Sequence, residues 1–385
     1  MSSLHPGTSI APTLKGGLAL LTFSILALLA LSGCVSAPEE LRAEPEVAGR
    51  FYEDPSLSSL QARVEEAVTE EIRRQEIPAL QLAIYGERER IELAFGTESP
   101  QREEPIRLGH RFRIGGVTKL YTAVIILSLV EEGRVSLEQS VEGWFPQLPG
   151  AETTTLRTLL GERSRLEAYT GEEFVELGMI LRPGRRWERE ELLTRIRRTA
   201  LRDDPGSGVN NNSDYALLGL IAERVTGAPF SRLLQRYIGE PLGLDNTVLA
   251  GDGDTPDLLT GYDFDLLPFG NHRIEATNRA VGSWAYSAGG IVSTAGEMAS
   301  LLSALHEGRL LSREMVELMR AEALGPRELE IAGELFQGRQ GSIPGFGALL
   351  YQWPEESTTI AIVANRSEID HSALLSAVVR VLDES

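Results

Sequence analysis

The spacing of apolar and polar residues changes rhythm several times along the chain, and each change predicts an element. Helical spacing runs from Leu60 to Gln75, followed by two alternating stretches, Leu80 to Tyr85 and Ile91 to Phe95, across the polar run Gly86–Arg90. These predict a helix and a strand pair. From about Gly116 to Glu132 the chain is apolar nearly all round and stops at Gly133, the pattern of a helix buried in a protein's centre. Residues 150–245 are mostly helical in pattern, including Asp214 to Val225, closed by Gly227 with Ser213 or Asp214 as its cap. Near the end, Phe346 to Trp353 and Thr358 to Ala364 predict two strands around Pro354–Ser357, and an amphipathic helix follows from Asp370. Strands at both ends with helices between predict an α/β fold. It has one mixed, mainly antiparallel sheet flanked by terminal helices, with an all-helical lobe inserted at about 135–245.

The N-terminal segment follows none of these patterns. After Lys15 comes an uncharged, mostly apolar run that ends in Leu31-Ser32-Gly33-Cys34, with small residues before the only cysteine. This is the pattern of an export signal with its cleavage site, residues 1–33. The ending resembles the lipobox of bacterial lipoproteins, which implies lipidation of Cys34. The expected location is the cell envelope outside the cytoplasm, facing the periplasm from the outer membrane if there are two membranes. Residues 34–57, rich in Pro, Glu and Ala, are expected to tether a domain at 58–385. With Cys34 lipidated, no thiol remains for a disulfide, a metal or redox chemistry.

Charge removes further classes. The chain has 37 basic and 56 acidic residues, a net charge of -19, which repels nucleic acid and excludes it as a partner. The one Arg-rich stretch, Arg182 to Arg202, is broken by Glu188, Glu190 and Glu191 and is expected to be a solvated helix with i,i+4 pairs. The five histidines are dispersed without metal-ligand spacing, so neither a metal nor another cofactor is expected. Among the basic residues one is singular. Lys119 is the only lysine besides Lys15, and it lies in FRIGGVTKLYTA at the start of the central helix.

That phrase opens a series: LVEEGRVSLEQSV with WFPQLP, TLRTLLGERSRL, PGSGVNNNSDYALLGLIAERVTG, EPLGLDNT, SAGGIVSTAGEMASLLSALHEGRLLS and GSIPGFGALLYQWPEESTTIAIVAN. In wording and order it resembles the serine β-lactamase and penicillin-binding-protein-like hydrolases, in the branch of class C β-lactamases, D-Ala-D-Ala carboxypeptidases and esterases. The resemblance spans roughly residues 60–380. It implies three clusters meeting between sheet and lobe: a Ser-x-x-Lys supplying nucleophile and amine, a Tyr-x-Asn, and a Lys or His followed by x-Gly on a strand.

Lys119 matches the lysine, but Gly116 stands at the serine position. The Tyr-x-Asn falls on Asn210-Asn211-Asn212, with Asn212 kept and Asn210 replacing the tyrosine. Because the preceding segment is one residue short, this registration can slip by one. The basic position falls on Arg339, followed by Gly341, and Glu162 and Arg165 replace the family's His and Gly. Glycine offers no hydroxyl, so no acyl-enzyme can form at Gly116. Thr118 points about 100° away from Lys119 on a helix, and Ser287 lacks a visible base, as do Ser207, Ser213 and Ser342.

Two roles for Lys119 stay open: an inherited buried amine bonded to Asn212 and backbone carbonyls, or a cation that recognises a ligand carboxylate together with Arg339. For the whole protein the expectation is an inactive homologue acting as a binding or regulatory module. Lys119, Asn212, Arg339 and Gly341 would line a pocket for a peptidoglycan peptide or small acyl compound, with the protein partner unknown. The rivals are a working hydrolase with an unusual nucleophile, and a scaffold whose cleft is filled by its own side chains, with Arg339 and Arg165 as fillers.

Overall fold

A computed structural model of the chain describes residues 47–48, 55–87, 89–99, 102–170, 179, 181–203, 211–252, 255–263, 272–274 and 278–384. The strands are β1 (Val47–Ala48), β2 (Ala79–Tyr85), β3 (Arg90–Ser99), β4 (Arg102–Pro105), β5 (Phe112–Arg113), β6 (Val248–Leu249), β7 (Gly261–Asp263), β8 (His272–Ile274), β9 (Ile291–Ser293), β10 (Arg327–Ile331), β11 (Glu334–Ile343), β12 (Phe346–Trp353) and β13 (Thr358–Ala364). The main sheet runs β1-β3-β2-β13-β12-β11-β10, with β4 beside β3, and every pairing in it is antiparallel. Strands far apart in the sequence therefore meet in its centre, where β2 pairs with β13.

The helices that build the molecule around this sheet are α1 (Pro55–Arg74), α2 (Thr118–Glu131), α3 (Leu156–Leu160), α4 (Arg189–Arg198), α5 (Asn212–Thr226), α6 (Arg279–Gly289), α7 (Ala295–His306), α8 (Arg313–Ala321) and α9 (His371–Asp383). Alternation along the strands separates two cores. Leu80, Leu82, Ile84, Leu349, Tyr351, Ile360 and Ile362 face outward onto α1 and α9. Ala79, Ala83, Ala94, Ala348 and Ala361 belong to the inner core with α2, α7 and the lobe, and their small side chains let α7 lie close to the sheet. Among the described residues no helix is long and apolar enough to cross a membrane.

Two local expectations change. The central helix begins at Thr118, not Gly116, because Gly115 takes φ +49° and the next residues form a 3-10 turn, Gly115–Val117. Helix α5 is capped by Asn211, whose side chain accepts from the Ser213 amide, while the hydroxyl of Ser213 is committed to the Glu167 carbonyl at 2.6 Å. The arginines around α4 also reach partners at longer spacings than i,i+4. Arg185 reaches Glu191 at 3.0 Å, and Arg186 and Arg189 reach Asp252 at 3.2 and 2.9 Å.

Candidate functional site

The site begins where strand β11 meets the turn before α2. A Cβ on Gly341 would lie 2.5 Å from the Gly116 amide nitrogen and would also strike the Ile114 carbonyl, so the close approach of the two backbones requires glycine there. At Gly116 there is more room. Its Cβ would stand 3.1 Å from the Gln340 carbonyl and 3.5 Å from the Gly341 Cα.

One turn on, Lys119 is fully buried, and its Nζ donates to Glu162 Oε1 at 2.6 Å. The other oxygen, Glu162 Oε2, accepts from Arg339 at 2.5 Å and from Arg327 at 2.6 Å. Oε1 also accepts from the Asn211 backbone amide at 2.9 Å. One buried carboxylate thus holds three cations. Tyr215 lies beneath, with Lys119 Nζ 5.3 Å and the Arg339 guanidinium 5.5 Å from its ring centroid.

Local backbone geometry aims Glu162 into this position. Helix α3 ends at Gly161, after which Glu162 adopts φ +55°. The Arg163 amide donates back to Thr158 O at 2.8 Å and the Glu162 amide to Leu159 O at 3.0 Å, the Schellman arrangement that favours glycine at the left-handed residue. A glutamate there accepts backbone strain on the order of 1 kcal/mol, which its three ionic partners offset.

Electrostatics follow from burial. Desolvation would raise the Glu162 carboxyl, but Arg339, Lys119 and Arg327 outweigh it and hold the group down at about 2. Burial lowers the Lys119 amine to about 8, with Glu162 opposing and Arg339 assisting, so both groups are charged at neutral pH. A second carboxyl adjoins them. Asp214 is buried, its Oδ1 accepts from the Ser164 hydroxyl, and its Oδ2 has no partner. Burial pushes Asp214 up to about 8, against the Ser164 hydrogen bond, so it holds a proton at pH 7.

The residues singled out in the sequence separate into groups. Gly116, Lys119, Arg339 and Gly341 come together here. The Asn212 amide instead donates to the Thr170 hydroxyl at 2.9 Å, and it is the backbone of Asn211 that touches the cluster. Asn210, Ser207 and Cys34 lie outside the described residues. Arg165 fills no cleft, since it is exposed and binds the Arg202 carbonyl at 2.7 Å. The central role of Glu162, with Arg327 and Asp214 beside it, was missed. The available signal was an acidic residue where the resemblance has His, in a chain whose only lysine after Lys15 is Lys119.

The other hydroxyls are committed to the backbone. Thr118 Oγ1 accepts from the Ile291 amide at 3.2 Å, Ser287 donates to Tyr215 O at 2.9 Å, and Ser342 donates to Ser367 O at 3.0 Å. Each is spent on holding elements together.

Comparison with known proteins agrees with this architecture. The family model described as Beta-lactamase matches residues 61–381. Esterase EstB of Burkholderia gladioli is 29% identical over 164 residues, 39% of this chain and 41% of the esterase. The D-alanyl-D-alanine-carboxypeptidase/endopeptidase AmpH of Escherichia coli (strain K12) is 27% identical over 223 residues, 56% and 54% of the two chains. The chain spans less than two thirds of the length of the curated relatives it matches. Among solved structures, the D-amino acid amidase of Ochrobactrum anthropi SV3 superposes with a TM-score of 0.75 at 23% identity. That match covers 85% of this chain and 99% of the amidase, a likeness of fold.

Proposed function

The chain belongs to the Beta-lactamase family, and on that footing we propose that it is a non-acylating member of this serine-hydrolase-like group, acting as a binding or regulatory module. In this reading it is held at the cell envelope through lipidated Cys34. One observation carries the loss of acylation: Lys119, whose family counterpart serves the nucleophile, is bound to Glu162 at 2.6 Å, and Gly116, three residues before it, has no hydroxyl.

Acyl transfer needs an oxygen nucleophile and a group to take its proton. Gly116 supplies no oxygen, and Lys119 is a protonated amine locked to a carboxylate. The same carboxylate occupies Lys119 and Arg339, the two cations expected to receive the carboxylate of a peptidoglycan peptide or small acyl compound. A cleft ligand of that class binds only by exchange for Glu162, which makes the resting cleft self-occupied.

Covalent labelling of the full chain with a fluorescent penicillin and a fluorophosphonate tests this reading. The native protein and Gly116→Ser alone stay unlabelled, whereas Gly116→Ser combined with Glu162→His acquires label at residue 116. Label on the native protein overturns the proposal, and mapping it identifies the nucleophile.

A further inference from the structure

At the other end of the sheet's inner face lies a second polar district. Gln337, Gln352, Thr359, Tyr85 and Arg90 stand in register across β11, β12, β13, β2 and β3. Gln337 is four residues before Gly341 on one strand, so this row lies about 13 Å from the Gly116 contact. The last turns of α7 cover it, and with Arg320 of α8 they enclose a cavity of about 610 Å³. That volume suits a small ligand.

The middle of the row is buried yet polar, with Gln352 5% and Thr359 1% exposed, while Arg90 at its end is exposed. Its internal hydrogen bonds run in one direction and stop short. Ser303 Oγ donates to Thr359 Oγ1 at 3.1 Å and Thr359 donates to Gln352 Oε1 at 2.5 Å, which leaves the Gln352 Nε2 protons without a partner among the described residues. Arg320 donates from Nε to Gln337 Oε1 at 2.5 Å and has no carboxylate partner among them, so its terminal nitrogens keep their donors and their charge. His306 Nδ1 lies 2.8 Å from the Leu302 carbonyl and therefore carries the ring proton, leaving Nε2 as a buried, unpartnered acceptor. By contrast Arg90 and Arg309, at the rim, are already paired with Glu92 and Glu307 at 3.2 and 2.6 Å.

In the cavity's interior, away from the rim carboxylates, two donor groups, the His306 acceptor and one cation without a carboxylate partner specify a ligand: one negative charge with acceptor oxygens, plus at least one hydroxyl. We infer that this cavity binds a hydroxylated monocarboxylate of sugar-acid size. Its carboxylate lies on Arg320 and the Gln352 amide, and a hydroxyl donates to His306 Nε2. The rim carboxylates Glu87, Glu89 and Glu307 disfavour more highly charged anions. The site does not depend on the Lys119 cluster.

Isothermal titration of the full chain in a sugar-free detergent, with D-glucuronate, D-glucose and acetate as probes, tests the inference. Glucuronate binds at least tenfold more tightly than either of the others, and both Arg320→Gln and Gln352→Leu weaken it at least tenfold. Arg320→Gln, on a surface helix, decides the matter if Gln352→Leu fails to fold. Absence of glucuronate binding, equal binding of acetate, or undiminished binding by Arg320→Gln each overturns it.

Discussion

The two faces of the main sheet bury their residues in opposite ways. Against α1 and α9 the strands present mainly apolar side chains, among them Leu82, Leu349 and Ile362, which share one cluster. Toward α2 and the lobe they present alanines and glycines among buried charges, with Arg339 and Gly341 on one strand facing Lys119, Glu162 and Gly116. The outer face is held by volume, which many apolar residues share. The inner face is held by single atoms, and several of its positions admit no substitute.

That contrast can be broken most forcefully at Glu162. Alanine there leaves Lys119, Arg327 and Arg339 without their shared counter-charge, and breaking a buried ionic cluster from one side is expected to lower unfolding free energy by about 4 kcal/mol. Urea denaturation measures it, and a loss below about 1 kcal/mol would show that the cations find other partners. On the outer face, Leu349→Ala is expected to cost about 3 kcal/mol through lost burial and a residual cavity. The same titration should find its denaturant slope unchanged.

Next come the glycines. Gly341→Ala drives a methyl group into the Gly116 and Ile114 backbone and is expected to cost about 2 kcal/mol, since backbone cannot yield as a flexible side chain does. Gly116→Ala meets only the Gln340 carbonyl, at 3.1 Å, and should cost less than about 1 kcal/mol. Equal melting temperatures for the two variants would remove the claim that the strand is held there by backbone contact.

The last pair of effects is read through pH. Glu162 titrates near 2 in the fold against 4.5 when free, so its stabilisation is complete above about 4.5 and disappears as pH falls through 2. Asp214 works in the other direction. Its folded value near 8 exceeds the free value of 3.8, so the folded state keeps a proton that the unfolded chain releases, and stability declines as pH rises from about 4 to about 8. Asp214→Asn, nearly isosteric, should flatten that decline while leaving stability near pH 4 little changed. Thermal melts across this range read it directly.

How much of this was legible in the sequence depended on how locally each feature is determined. The strands Phe346–Trp353 and Thr358–Ala364 match expectation to the residue, because both faces of each are buried and turn-forming residues bound them. The central helix was legible for the same reason. The cap of α5 was not. The run Asn210-Asn211-Asn212-Ser213-Asp214 offers five capping side chains, and the choice depends on Glu167 and Ser164, some fifty residues away. Glu162 was visible as a departure from the family pattern, yet its role depends on Arg339, 177 positions along the chain, and on a left-handed backbone that a glutamate does not advertise.

The isolation of Lys119 also determines how the protein meets reagents. With Lys15 and Lys119 its only lysines, the region after residue 119 offers acylating dyes and formaldehyde no side-chain amine at all, and the one amine of the folded core is sealed by Glu162. Acetic anhydride should therefore modify residue 119 only in molecules that have transiently opened. The gain of a single acetyl mass on the peptide bearing it becomes a clock for that opening, legible by mass spectrometry without any engineered probe.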